Sequence, residues 1–87
     1  MLFRKGKKIV IAGSSQWGAR LAGQLSGKGY DVVVVDSRRD AFRKLPEDFN
    51  GNQIEGDVTD PRVLERCGAG KAVALVAATQ NDNVNLM

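Results

Sequence analysis

The stretch that decides the fold runs from Lys8 to Gly18 and reads Lys-Ile-Val-Ile-Ala-Gly-Ser-Ser-Gln-Trp-Gly. Its apolar part is continuous rather than alternating, which is typical of a strand in a parallel sheet that is covered on both faces. Gly13 and Gly18 occupy the first and third positions of a G-x-G-x-x-G loop, the turn that holds a pyrophosphate, and Ser15 stands at the second. On its own the loop is as compatible with a structural turn as with a phosphate-binding loop.

Three further apolar runs predict strands at residues 31–35, 52–55 and 71–78. Helix signals separate these runs, so strand and helix alternate along the chain. With right-handed crossovers, the alternation predicts an α/β fold, a Rossmann-like doubly wound parallel sheet with strand order 3-2-1-4. We expect a nucleotide-binding domain over residues 7–87 that is incomplete after its fourth strand, preceded by a basic lead-in at residues 1–6.

The first helix is predicted over residues 16–28. Trp17, Leu21 and Leu25 recur every four residues and form, with Ala22, one buried stripe. For Trp17 we expect packing in the core or at an interface rather than stacking on a ligand, because an aromatic side chain buries a large area.

The other two helices are predicted from their capping residues. Ser37 and Asp40 have the spacing of a capping box, and Pro46 stops the helix that would follow. Asp60 can cap a third helix in which Pro61 takes the first position. The residues of the third helix expected to face inward are Val63, Leu64 and Cys67.

Composition and charge narrow the classes of function. The chain has 87 residues, a net charge of +3, no histidine and one cysteine, so we expect neither a metal site nor a disulfide. No run approaches the roughly 20 apolar residues that cross a bilayer, which favours a cytoplasmic protein without direct membrane insertion. Four basic residues crowd the first eight positions. We interpret them as a solvated tail rather than as a nucleic-acid contact.

Candidate ligand contacts follow the strands, because a doubly wound sheet binds its ligand beyond their carboxyl ends. Asp36 stands 18 residues after Gly18, close to the spacing of about 20 for the acid that bonds ribose hydroxyls. Its carboxylate would repel a 2′-phosphate despite the neighbouring Arg38 and Arg39, so we expect an unphosphorylated ribose. The candidate residues along these first two turns are Gly13, Ser14, Ser15, Gln16, Trp17, Gly18, Asp36, Ser37 and Arg38.

The later turns add further candidates. Asp57 and Val58 follow the third strand, and Asp57 can accept a hydrogen bond from an adenine amino group. A polar cluster at residues 79–85 contains Thr79 and Asp82, and it precedes a helix that would begin at residue 84. Asn and Asp are also common in turns, so a purely structural role for this cluster stays open.

Taken in order, these motifs resemble the nucleotide-binding domain, called KTN or RCK, of Trk-type potassium uptake regulators. The resemblance rests on Ile-Val-Ile-Ala-Gly-x-x-Gln-x-Gly, Gly-Asp-Val-Thr-Asp-Pro and Ala-Thr-Gln-Asn-Asp-x-Val-Asn-Leu. It implies a cytoplasmic regulator, not an enzyme, that binds NAD(H), ATP, ADP or AMP and acts on a membrane-embedded potassium channel or transporter. It also implies that the 13–18 backbone holds phosphates, that Asp36 binds the ribose and that Asp57 and Val58 lie on the adenine side. Thr79 and Asp82 would lie near the distal phosphates or the second ribose.

Two alternatives remain at the level of sequence. Gly-Asp-Val-Thr-Asp also occurs in oxidoreductases of the short-chain or epimerase type, although Tyr30 is the only tyrosine and no Tyr-x-x-x-Lys pair exists. Ser15 at the middle glycine position suggests a scaffold that has lost its ligand. In each case we expect a homo-oligomer, a dimer or a larger ring, because Val73, Leu75 and Val76 would be poorly covered in a monomer.

Overall fold

The computed structural model describes residues 7–78, which form a four-stranded parallel sheet. The strands lie in the order β3-β2-β1-β4. β1 pairs with β2 on one side and with β4 on the other, and β2 also pairs with β3. The strands are β1 (Lys8–Ala12), β2 (Asp31–Asp36), β3 (Asn52–Glu55) and β4 (Ala74–Ala77). The predicted Rossmann-like fold and its strand order are therefore confirmed.

Helical segments connect the strands. The helix α1 (Gln16–Gly27) links β1 to β2, and a 3₁₀ helix (Arg39–Lys44) lies between β2 and β3. The helix α2 (Pro61–Arg66) and a short 3₁₀ helix (Ala69–Lys71) lie between β3 and β4. The predicted fourth helix, like Thr79 and Asp82, lies outside the described residues.

Alternate side chains of β1 and β2 point to opposite faces of the sheet, and each face has its own hydrophobic cluster. Helix α1 covers one face through Ala22, and α2 covers the other through Val63 and Cys67. The first cluster contains Ile9, Ile11, Val32 and Val34, and the second contains Val10, Ala12, Val33 and Val35. Both strands are buried on two sides, which explains why their sequences are continuously apolar.

Helix α2 begins and ends as its sequence predicts. The Asp60 side chain accepts a hydrogen bond from the Arg62 backbone N–H at 2.9 Å, and Pro61 takes the first helical position. Gly68 follows the helix with φ of 82°, a left-handed conformation that favours glycine. Val63 and Cys67 are buried as expected, whereas Leu64 is only partly buried.

The predicted capping box and α-helix after β2 are wrong. Arg38 precedes a 3₁₀ helix instead, and no side chain caps it. The physical reason is that the Asp36 carboxylate accepts the Arg38 N–H at 2.9 Å, while the Ala41 carbonyl accepts the Ser14 hydroxyl at 3.0 Å. These two hydrogen bonds tie the segment after β2 to other parts of the fold. The segment is also short, so it would gain few of the hydrogen bonds that stabilise a longer α-helix.

Two further predictions need correction. The run at residues 71–78 is a strand only over Ala74–Ala77, because Lys71 ends the short 3₁₀ helix before it. Trp17 is not in the core, since half of its surface (50%) is exposed, and its packing at an interface stays a prediction. The side chains that α1 buries completely are smaller and include Ala19 and Ala22, because the helix lies close to the sheet.

Candidate nucleotide-binding site

The turn between β1 and α1 is fixed by hydrogen bonds to three neighbouring segments. Gly13 has φ of 105°, which only glycine adopts readily, and its N–H donates to the Val35 carbonyl at 2.7 Å. The Ser14 hydroxyl donates to the carbonyl of Ala41, and the Ser15 N–H donates to the carbonyl of Ala78 at 3.3 Å. The turn is therefore positioned by β2, by the 3₁₀ helix and by the end of β4.

Ser15 is the N-cap of α1. Its side-chain oxygen accepts a hydrogen bond from the Gly18 N–H at 3.2 Å, and its backbone is extended, with φ of −71° and ψ of 176°. A serine at this position stabilises a helix by about 1 kcal/mol relative to alanine. Ser15, which stands where the pattern has its middle glycine, therefore caps the helix. Its backbone conformation is one that any residue adopts without strain.

Capping leaves two donors at the start of α1. Within residues 7–78, no acceptor is found for the backbone N–H groups of Gln16 and Trp17. These groups lie at the positive end of the helix dipole, where an anion is stabilised. The cap does not use the hydroxyl hydrogen of Ser15, because the Ser15 oxygen acts as the acceptor in that hydrogen bond. The arrangement is suited to holding a phosphate.

Gly18 is required for the close approach of α1 to the sheet. A Cβ atom at this position would lie 2.6 Å from the Cβ of Ala78 and 3.0 Å from the carbonyl oxygen of Gly13. The first distance is too short for a real Cβ contact, and the second is tight enough that the Gly13 carbonyl would have to shift slightly. The third glycine of the loop therefore allows the first turn of α1 to sit against the carboxyl ends of β1 and β4.

Asp36 connects the end of β2 to this turn. It is 9% exposed, and one carboxylate oxygen accepts the Ser14 N–H at 2.8 Å while the other accepts the Arg38 N–H. An ionised carboxylate offers about four acceptor positions, so two protein donors do not exhaust it. The sequence spacing pointed to Asp36, but nothing in the spacing indicated that the same carboxylate orders the loop.

The residues that follow Asp36 are exposed. Ser37 is exposed, and Arg38 lies 3.7 Å from the Asp40 carboxylate in a pair that is more than half exposed. Arg39 pairs with Glu55 on β3 at 3.1 Å. Exposed ion pairs of this kind contribute little to stability.

Asp57 lies in a tight turn after β3. One of its carboxylate oxygens accepts both the hydroxyl of Thr59, at 2.7 Å, and the Thr59 backbone N–H, at 2.8 Å. These two hydrogen bonds, the hydroxyl first, hold the pKa of Asp57 below its ordinary value. Asp57 is exposed and remains an ionised acceptor, whereas Val58 is half-buried against the second cluster.

The sheet register brings these turns to one edge. Ala12 pairs with Val35 and with Ala77, and Asp36 pairs with Glu55, so the turns after β1, β2 and β3 all leave the same end of the sheet. A groove of about 440 Å³ lies between α1 and the segment that contains Lys44 and Pro46, and its lining includes Gln16 and Arg20.

Ala78, the small residue that follows β4, was not among the site residues predicted from the sequence. Ala78 is fully buried, receives the Ser15 N–H through its carbonyl, and leaves room for Gly18. The only signal in the sequence is indirect: a parallel register places the residue after β4 beside the turn after β1.

Within the described part of the chain, no helix is long and apolar enough to span a membrane.

Known proteins resemble this chain over nearly its whole length. The family model of the TrkA-N domain matches residues 9–87. A "Trk system potassium uptake protein TrkA homolog" of Pyrococcus horikoshii is 37% identical over 79 residues, which are 91% of this chain and 35% of that protein. The "Trk system potassium uptake protein TrkA" of Vibrio alginolyticus is also 37% identical over 79 residues, which are 91% of this chain and 17% of that protein. The chain thus spans a minor part of these relatives.

Solved structures share the fold. N5-carboxyaminoimidazole synthetase of Staphylococcus aureus, complexed with ADP, superposes with a TM-score of 0.68 and 26% identity, over 90% of this chain and 20% of that chain. An ADP complex of N5-carboxyaminoimidazole ribonucleotide synthetase gives a TM-score of 0.66 at 20% identity, over 88% of this chain and 19% of that chain. The same sheet architecture therefore recurs as one part of much longer chains.

Proposed function

The chain belongs to the TrkA-N domain family, and we propose that it is a regulatory domain that binds NAD(H), ATP, ADP or AMP and controls potassium uptake. One observation carries this proposal: the two N–H groups at the start of α1 follow Ser14, whose own N–H donates to the buried carboxylate of Asp36 at the end of β2. The first feature suits a phosphate and the second suits the hydroxyls of a ribose.

In this proposal the phosphates lie at the start of α1. The backbone N–H groups of Gln16 and Trp17 donate to phosphate oxygens, and the hydroxyl of Ser15 is a further donor. The side chain of Ser14 does not take part, because it is fully buried and donates to Ala41. Gly13 and Gly18 contribute through the shape of the turn rather than through contact groups.

The ribose and the base would lie towards β2 and β3. The Asp36 carboxylate accepts the ribose hydroxyls with the acceptor positions that Ser14 and Arg38 leave open, and its charge disfavours a 2′-phosphate. Ser37 and Arg38 border this pocket from the exposed side. Asp57, which stays ionised, accepts a hydrogen bond from the adenine amino group, and Val58 packs beneath the base.

A regulatory role fits this chemistry better than catalysis. The sequence has no histidine, and its one cysteine, Cys67, is buried in the cluster under α2, where burial raises the pKa of the thiol. An exposed carboxylate and backbone donors bind a nucleotide but do not form an acid–base pair. We therefore attribute the similarity to the two synthetase structures to a shared fold and not to a shared activity.

The proposal extends to partners and location. The names of the relatives support a membrane-embedded potassium channel or transporter as the partner, and a cytoplasmic domain peripheral to the membrane. Leu75 on β4 is 52% exposed and Val73, directly before this strand, is 57% exposed, which supports burial of these side chains in a homo-oligomer. If light scattering shows a monomer at high protein concentration, the proposed homo-oligomer is refuted.

Calorimetric titration with NADH and with ATP tests the proposed function. We expect saturable binding to the protein and a loss of affinity of at least tenfold in Asp36→Ala, since a hydrogen bond to a charged group contributes about 1.5–3 kcal/mol. Asp40→Ala is the matched control, because it removes an exposed carboxylate four residues away, and it should bind normally. Circular dichroism establishes that both variants fold.

Other outcomes would support other functions. If the folded protein binds no nucleotide, the domain is a scaffold. If it binds NADH and transfers hydride to a carbonyl substrate, it is part of an oxidoreductase and the regulatory proposal fails.

A further inference from the structure

Trp17 is exposed at a position where nothing in the fold requires a tryptophan. It is the only tryptophan in the chain, it lies in the first turn of α1, and half of its surface is in contact with solvent. Tryptophan is highly buried on average, because its large apolar surface is unfavourable in water. A half-exposed indole beside the candidate phosphate site therefore calls for a physical explanation.

The geometry of α1 places Trp17 on the side of β4. Gly18 and Ala22 face the sheet, and Gly23 lies on the side facing Pro46, which follows the 3₁₀ helix between β2 and β3. With 3.6 residues per turn, Trp17 and Leu21 fall on the opposite side of the helix. Because the strand order is β3-β2-β1-β4, that opposite side is towards β4.

The Trp17 side chain is also expected to lean towards the carboxyl ends of the strands, where the ligand is proposed to bind. In an α-helix the Cα–Cβ bonds tilt towards the N-terminus, so a residue in the first turn leans towards the end where the free N–H groups emerge. The first turn itself is held against the end of β4, as the Ser15 bond to Ala78 shows. Doubly wound sheets bind ligands in this crevice, between strands whose connections run in opposite directions.

Asp36 and Trp17 thus lie on opposite sides of the proposed phosphate position. Asp36 ends β2 on one side of β1. The N–H groups of Gln16 and Trp17 lie at the start of α1, and helix periodicity places Trp17 on the side of α1 nearer β4. If a ligand binds with its ribose at Asp36 and its pyrophosphate at the start of α1, the group that follows the pyrophosphate extends towards Trp17.

We propose that Trp17 is a specificity-determining residue that selects ligands carrying a planar aromatic ring beyond the pyrophosphate. This inference rests on the proposed nucleotide-binding function and narrows it to dinucleotides. Stacking of a base on an aromatic side chain strengthens binding by roughly 5- to 100-fold. A mononucleotide, which ends at its phosphates, gains nothing from the indole.

Comparison of NAD⁺ with ADP-ribose tests this contact, because the terminal ribose carries the cationic nicotinamide ring in NAD⁺ and a hydroxyl group in ADP-ribose. The calorimetric affinity of each is measured for the wild-type protein and for Trp17→Ala, Trp17→Phe and Gln24→Ala. We expect Trp17→Ala to weaken NAD⁺ roughly 5- to 100-fold and to leave ADP-ribose unchanged. Trp17→Phe should retain most of the preference, and Gln24→Ala, an exposed change in the same helix, should alter neither affinity.

The fluorescence of Trp17 gives a second, independent signal. NAD⁺ should quench the single indole, and ADP-ribose should not. If ADP-ribose binds but Trp17→Ala loses both ligands equally, or loses neither, the inference is overturned while the nucleotide-binding function stands. If the wild-type protein binds neither ligand, the function and the inference fail together.

Discussion

Replacement of Gly18 by alanine tests the close contact between α1 and the sheet. The added Cβ would lie 2.6 Å from the Cβ of Ala78 and 3.0 Å from the carbonyl oxygen of Gly13, and both neighbours belong to the framework of the site. Overpacking of this kind costs about 1–3 kcal/mol. Alanine recovers about 1 kcal/mol of that cost, because it is the better helix former. We therefore expect a net loss of about 0–2 kcal/mol in the free energy of unfolding.

Gly27→Ala in the same helix is the matched control. A Cβ at Gly27 meets no atom within 4 Å, so this variant should gain up to about 1 kcal/mol. Urea denaturation followed by circular dichroism gives both free energies, and the difference between the two variants isolates the steric cost. Addition of Ala78→Gly to Gly18→Ala should recover part of the loss, with a coupling of about 0.5–3 kcal/mol. If Gly18→Ala is as stabilising as Gly27→Ala, the close packing of α1 is refuted.

Other perturbations probe the remaining parts of the site. Gly13→Ala forces an L-residue to φ of 105° and should cost about 1–3 kcal/mol in urea denaturation; an unchanged midpoint would contradict the strained turn. Thr59→Val removes the hydroxyl that bonds Asp57, so the pKa of Asp57 measured by NMR titration should rise towards its ordinary value, whereas Thr59→Ser should leave it low. Burial raises the pKa of the Cys67 thiol, so the folded state is favoured while the thiol is neutral and should lose stability as the pH rises past the ordinary thiol pKa. The thiol should also react with a disulfide reagent only in urea, and rapid reaction of the native protein would count against its burial.

The architecture was predictable because its signals are local. Continuous apolar runs marked β1 and β2, and Asp60 with Pro61 marked the start of α2. The strand order was predicted from the doubly wound pattern in which a glycine loop follows the first strand, together with the right-handed crossovers of nearly all parallel sheets. The two glycines of the first turn also kept the roles that their spacing suggested, one through its φ angle and the other through its contact with Ala78.

Other features depend on contacts between distant residues. The segment after β2 has the sequence of a capped helix, yet Asp36 and Ser14 bind its backbone from outside and a 3₁₀ helix results. Trp17 fits the apolar periodicity of α1 but lies at the edge of the contact with the sheet. Ser15 looked like a defect in a glycine pattern, whereas the structure shows it as the N-cap of α1. Spacing along the chain cannot reveal which atom a hydroxyl will face.

The most direct test of nucleotide binding at the β1–α1 turn is to follow the backbone amide resonances of Gln16 and Trp17 during titration with NAD⁺ and with ADP. If phosphates bind to these two N–H groups, both resonances should shift more than those at the far end of α1, around Gly27. Asp36→Ala should then shift the titration midpoint to higher ligand concentration. Saturable binding that leaves Gln16 and Trp17 unmoved, or no binding by the folded protein, would contradict the proposed site.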